Sequence, residues 1–219
     1  MFGDPFDLHP DFAAERLDMA LHRRVREMGA PIAAYTAAGK PIRAIRGSGE
    51  RLFFIQNSSQ ATTAAPVKQP TGTAIRTMQQ IQAPSTLDLS IVEWGCSFDG
   101  TTATNTPGQV ELFGTTVAAT MSTAAVSADV TLFNNFGGTG TQITFGATTN
   151  TGFATAAVTE GTVANYRAGD LQMINPTTSY VKQWPLNREF EIPNSKYLRV
   201  RMTFGTSVNT YIYVIWGEN

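Results

Sequence analysis

KYLRVRMTF, Lys196–Phe204, alternates without a break. Leu198, Val200, Met202 and Phe204 share one side, and Tyr197, Arg199, Arg201 and Thr203 share the other. A period of two is the period of a β-strand. One apolar and one polar side predicts an antiparallel strand with its polar face in water. Downstream, NTYIYVIWGEN (Asn209–Asn219) sets Tyr211, Tyr213 and Ile215 against Ile212, Val214 and Trp216, so both faces of that strand are expected to be covered. Upstream, RLFFIQN (Arg51–Asn57) is a short apolar run, and VELFG (Val110–Gly114) follows the turn-like NTPG.

LDLSIVEWGCSFDG, Leu87–Gly100, is less regular. Leu87, Leu89 and Ile91 alternate in one phase, and Val92, Trp94, Cys96 and Phe98 alternate in the other. A switch between Ile91 and Val92 requires a bulge or a strand covered on both faces. Cys96, the chain's one cysteine, then shares a face with Trp94 and Phe98 and behaves as a small buried hydrophobe with a raised pKa. Glu93 falls on the opposite face.

From Arg51 onward no helical period appears. Short strands are separated by Gly, Asn, Pro and Thr turns, and the stretch from Thr101 to Thr162 holds weaker strands and long loops. The expected fold is mainly β, an antiparallel β-sandwich or jelly roll. The N-terminal part differs. Pro10, Asp11 and Glu15 suit a first helical turn, and Leu17, Leu21, Val25 and Met28 form one stripe. Arg23, Arg24 and Arg26 occupy the last turns before Gly29 and Pro31 stop the helix. Pro31–Glu50 contains two X-Pro breaks and reads as an extended arm. The glycines of RGSGE (Arg46–Glu50) mark the boundary, giving a helix and arm over 1–48 and a sandwich over 49–219.

The chain has 219 residues and a net charge of −1, with only 15% charged residues where soluble domains carry about 25%. Such a surface suits packing against other protein, and the net charge gives no argument for nucleic acid. One cysteine forms no internal disulfide. MFGDPFDLHPDF is not a Sec signal and no apolar stretch reaches membrane-helix length, so the expected product is made in the cytoplasm without a membrane anchor.

The catalytic inventory is short. His9 and His22 both lie in the N-terminal part, which leaves Cys96 without a base in the β part. There is no C-x-x-C, no His cluster and no phosphate-loop motif, so neither a metal nor a cofactor is expected. Glu93, Asp99, Glu111 and Asp129 could pair as in some glycosidases, but each reads more simply as an outward or turn residue. Trp94, Trp184 and Trp216, with Tyr180 and Phe190, could line a sugar-binding face, and read more simply as core aromatics. The expectation is therefore no enzyme. The basic arm is the better interaction candidate. Leu17, Leu21, Arg23, Arg24, Val25, Arg26, Lys40, Arg43 and Arg46 would contact a protein partner in preference to nucleic acid, since no aromatics interleave the cations.

Thr71–Gly100, VELFGTT, Trp184–Phe204 and YVIWGEN together resemble the small β-rich virion proteins of tailed bacteriophages, most like capsid decoration (cement) proteins with a jelly-roll or β-sandwich body. The resemblance covers residues 70–219 and rests on strands and turns. It implies a homo-oligomer such as a trimer that binds the outside of a phage capsid and clamps neighbouring subunits, with no cofactor. A tail-tube or head–tail joining protein, and a carbohydrate- or receptor-binding sandwich, are the alternatives.

Overall fold

The computed structural model describes residues 34–35, 41–42, 51–59, 66–101, 106–133, 140–185 and 188–218. The chain divides into two units, Met1–Glu50 and Arg51–Asn219. In the first, β1 (Ala34–Tyr35) and β2 (Pro41–Ile42), both within the stretch expected to be an extended arm, pair antiparallel. The expected helix, and with it Leu17, Leu21, Arg23, Arg24, Val25 and Arg26, lies outside the described residues, as do Lys40, Arg43 and Arg46.

The second unit is two antiparallel sheets. Its strands are β3 (Leu52–Gln56), β4 (Gln69–Pro70), β5 (Arg76–Gln82), β6 (Leu89–Phe98), β7 (Gly108–Thr115), β8 (Thr123–Ala124), β9 (Val130–Leu132), β10 (Gly152–Phe153), β11 (Arg167–Ile174), β12 (Ser179–Gln183), β13 (Phe190–Ile192), β14 (Tyr197–Thr203) and β15 (Asn209–Glu218). Sheet I runs β12-β6-β15-β3-β9, with β13 also on β6 and β4 also on β15. Sheet II runs β11-β7-β14-β5-β10-β8. Eight strands have five residues or more: β3, β5, β6, β7, β11, β12, β14 and β15. In chain order, the first pairs the eighth, the second the seventh, the third the sixth and the fourth the fifth. This is the pairing of one long hairpin rolled over on itself.

The core lies between the sheets. Phe53, Ile55, Trp94, Ile212, Val214 and Trp216 from sheet I meet Met78, Val110, Leu112, Leu198, Val200 and Met202 from sheet II. The phase switch in β6 is a bulge. Ile215 pairs Glu93 and Trp216 pairs Ile91, so Val92 is skipped. The bulge lets Ile91 and Trp94 both point inward although they are three residues apart.

The polar face of β14 is not in water. Leu198, Val200 and Met202 face the core as expected, but the Arg199 side chain is 0% exposed and that of Arg201 only 16%. Alternation shows which residues share a face, and it carries no information about what covers that face. Here the cover comes from residues 116–133 and 140–166 of the excursion between β7 and β11. It adds β10 and β8 to sheet II beside β5 and β9 to sheet I beside β3, then returns over the outer face of sheet II. Gln80 pins it: its Oε1 accepts from the Ala119 N–H at 2.7 Å and its Nε2 donates to the carbonyls of Thr149 (3.0 Å) and Asn150 (2.6 Å).

Candidate interaction edge

β11 and β12 end their respective sheets at the same side of the sandwich, joined by residues 175–178. Asn175 shapes that link, its Oδ1 accepting from the Thr177 N–H (3.2 Å) and hydroxyl (2.9 Å). An end strand keeps one row of backbone N–H and C=O groups free of sheet partners, a template for another chain.

The side chains of β11 are inverted relative to the usual pattern. Leu171 and Met173 point outward and are 53% and 68% exposed, while Asp170 and Gln172 point toward the space between the sheets. The cause is local. The register with β7 shifts between Ala168 and Asp170, so Gly169 is bulged out. A Cβ at Gly169 would lie 2.7 Å from Leu112 Cδ2 and 3.0 Å from the Phe190 ring, so the close approach requires glycine. A one-residue slip turns every following side chain to the other face.

The inward carboxylate is fully engaged. Asp170 Oδ2 accepts from Tyr180 OH at 2.8 Å and from Trp94 Nε1 at 3.2 Å, and its Oδ1 accepts from Gln172 Nε2 at 2.9 Å. Asp170 thus ties sheet II to two strands of sheet I. Burial and the Asp170 hydrogen bond push the Tyr180 phenol up. Burial first, and then the Asp170 charge, push the Cys96 thiol up to about 12. Cys96 is 3% exposed in the core beside Trp94, in keeping with an inert packing role.

On the outer side an apolar row runs along the edge: Tyr166, Leu171 and Met173. Tyr166 packs on Phe113 with ring centroids 5.0 Å apart and donates to Glu111 Oε2 at 3.0 Å. Glu111 also accepts from Arg201 Nε, and the Arg201 guanidinium lies 4.7 Å from the Phe113 centroid. The row therefore rests on a layer of paired groups. Val181 on β12, 57% exposed, faces away on the outside of sheet I. Arg167, Glu191 and Lys196 border a groove of about 150 Å³ near the start of β11 and place charged groups at that end of the edge. Apolar residues inside a polar margin are the anatomy of a protein interface. Covering Leu171 and Met173 would contribute about 2–3 kcal/mol.

The residues singled out for chemistry are dispersed. Glu93 accepts from Tyr213 OH at 2.6 Å on the outside of sheet I, and Asp99 pairs with Lys68 at 2.6 Å on an exposed loop. Glu111 is buried against Arg201 on sheet II, and Asp129 caps the 3-10 turn Ser127–Asp129, accepting from the Val126 N–H at 2.9 Å. Among the described residues no group of three His, Cys, Asp or Glu could hold a metal, and no helix is long and apolar enough to cross a membrane. The aromatics are packed inward. Trp94 and Trp216 are 0% exposed, and Trp184 is half-buried against Phe190. Leu171 and Met173 escaped the sequence reading, though the alternation within RAGDLQMI (Arg167–Ile174) was its available signal.

No family model matches the sequence, and no curated protein is similar to it. Among solved structures, the VP2 subviral particle of infectious bursal disease virus aligns over 87% of this chain at 13% identity with a TM-score of 0.22, a superposition too loose to argue from. The chain spans 45% of the length of that VP2 chain.

Proposed function

We propose that this chain is a structural virion protein, a jelly-roll subunit that packs against the outer surface of a tailed-phage capsid and steadies the shell by clamping neighbouring subunits. The observation that carries this reading is the inverted edge strand β11, which turns Leu171 and Met173 to solvent at the open end of a sheet. Leaving two large apolar residues in water has no benefit for an isolated domain. It has one for a subunit that is covered by a neighbour. The strand pairing, first with eighth through fourth with fifth, is that of a jelly roll, an architecture used by viral shells as well as by lectins and cupins. The low charge supports shell packing over a free-standing role. The lectin-like alternative loses its platform, because Trp94 and Trp216 are enclosed in the core.

In this reading the subunit is carried in the virion, assembles with its own copies as a trimer, and uses residues 1–48 as a second attachment point that adds avidity. The test is co-sedimentation of the purified chain with capsid shells assembled without it. Full-length protein binds to saturation. Deletion of residues 1–48 weakens binding while the β body stays folded, and Met173→Lys weakens it further. Unchanged occupancy and shell stability with both variants would overturn the proposal.

A further inference from the structure

The return limb of the excursion, residues 155–166, crosses the outer face of sheet II with few apolar anchors, Val158 against the core and Tyr166 on Phe113. None of its residues is buried, and only Val158, Glu160 and Val163 are half-buried. Its fixed ends are Ala154, whose N–H donates to the Met78 carbonyl at 3.0 Å, and Arg167 at the start of β11. Between them, the Thr155 and Ala156 N–H groups donate to Ser122 Oγ (2.7 and 3.1 Å), Thr159 exchanges two backbone hydrogen bonds with Thr120 (2.8 and 3.2 Å), the Ala164 carbonyl accepts from Thr115 Oγ1 at 2.7 Å, and Asn165 and Tyr166 donate to Thr116 Oγ1 and Glu111. Segments with few buried apolar contacts open at the lowest free energy.

One side chain sets this limb apart. Glu160 reaches down to sheet II, where its Oε1 accepts from the Thr77 N–H and its Oε2 accepts from Thr77 Oγ1 at 2.7 Å and from Arg199 Nη2. Arg199 is 0% exposed, and its guanidinium also donates to Thr77 Oγ1, at 3.0 Å from Nε and 2.6 Å from Nη2, and to the Val117 carbonyl at 3.4 Å, and lies 5.3 Å from the Phe113 centroid. Burial lowers its pKa, against which the Glu160 charge acts first. A guanidinium, a hydroxyl and a backbone N–H thus converge on the two oxygens of one carboxylate, a geometry matched to that group. With the carboxylate gone, Arg199 would be a buried charge acted on only by Glu111, which is already paired with Arg201, and opening the limb is the least costly way to give it water.

We propose that Thr77 and Arg199 form a carboxylate-binding site that holds residues 155–166 shut as a strap through Glu160. The strap opens as a unit, with the sandwich intact, when that carboxylate is withdrawn. The strap does not rest on the shell reading, although its last residue, Tyr166, also belongs to the edge row. Hydrogen exchange on the full chain tests it, with acetate as the added carboxylate. In Glu160→Ala, amides of the strap exchange at least ~100-fold faster while those of β6 and β15 keep their protection. Glu160→Gln, which keeps the shape and one acceptor oxygen, gives an intermediate acceleration. Acetate restores strap protection in Glu160→Ala, sodium chloride at equal ionic strength does not, and Glu160→Ala with Arg199→Met is insensitive to acetate. Unchanged strap exchange, equal acceleration across the whole domain in both single variants, or acetate acting no better than chloride would overturn the proposal.

Discussion

Leu198 and Arg199 are neighbours on β14 and are buried to the same degree, yet opposite chemistry covers them. Leu198 faces the apolar core between the sheets. Arg199 faces outward into a layer of paired groups, Thr77, Glu160, Glu111 and Arg201, arranged around Phe113 and closed by residues 116–133 and 140–166 of the excursion. The inner face is held by area, which is non-directional and tolerant. The outer face is held by partners, and removing one of a pair leaves the other stranded. Sheet II is thus stabilised twice, by mechanisms that fail in different ways.

The inner face breaks hardest by truncation. Trp216 is 0% exposed and stacks on Phe53 at 5.7 Å. Trp216→Ala is expected to cost about 3–5 kcal/mol in denaturant unfolding.

The outer face follows a different rule. Arg201→Met alone strands Glu111 and is expected to cost about 3 kcal/mol, but Arg201→Met with Glu111→Leu recovers most of that loss. A double variant no more stable than the sum of its singles would show that the layer is not a coupled pair.

An effect confined to alkaline pH sits between the sheets. The Cys96 thiol is raised from 9.0 to about 12 by burial, so the folded state holds its proton more tightly than the unfolded chain does. Its contribution is complete below pH 9 and is lost as pH rises from there toward 12, at up to about 1.4 kcal/mol per pH unit. Stability of Cys96→Ala measured across that window is expected to fall less steeply than that of the native chain. Smallest of all is the exposed Lys68–Asp99 pair: Lys68→Ala is expected to leave the thermal midpoint unchanged, because solvent and salt screen such pairs.

The inner face was legible in the sequence and the outer one was not, for reasons visible in particular residues. Leu198, Val200 and Met202 alternate with enough apolar contrast to mark a strand and its inward side, and the alternation through Ile212, Val214 and Trp216 marks a second strand without saying which face is inward. The bulge at Val92 was readable because the apolar phase changes there. The burial of Arg199 depends on Glu160, 39 residues earlier, in a Thr-, Ala- and Gly-rich segment whose small side chains carry no periodic signal. Strand order was beyond reach because it is set by contacts between distant segments. The edge row was hidden for another reason. The alternation of Leu171 and Met173 suggests an apolar side turned inward, and only the bulge at Gly169 reverses it.

The central claim is that this edge is an assembly surface, and the solution mass of the full chain tests it most directly. Light scattering on the purified protein is expected to give the mass of a trimer, and Met173→Lys the mass of a monomer with an unchanged thermal midpoint. A native chain that stays monomeric, or an oligomer that Met173→Lys leaves intact, would contradict it.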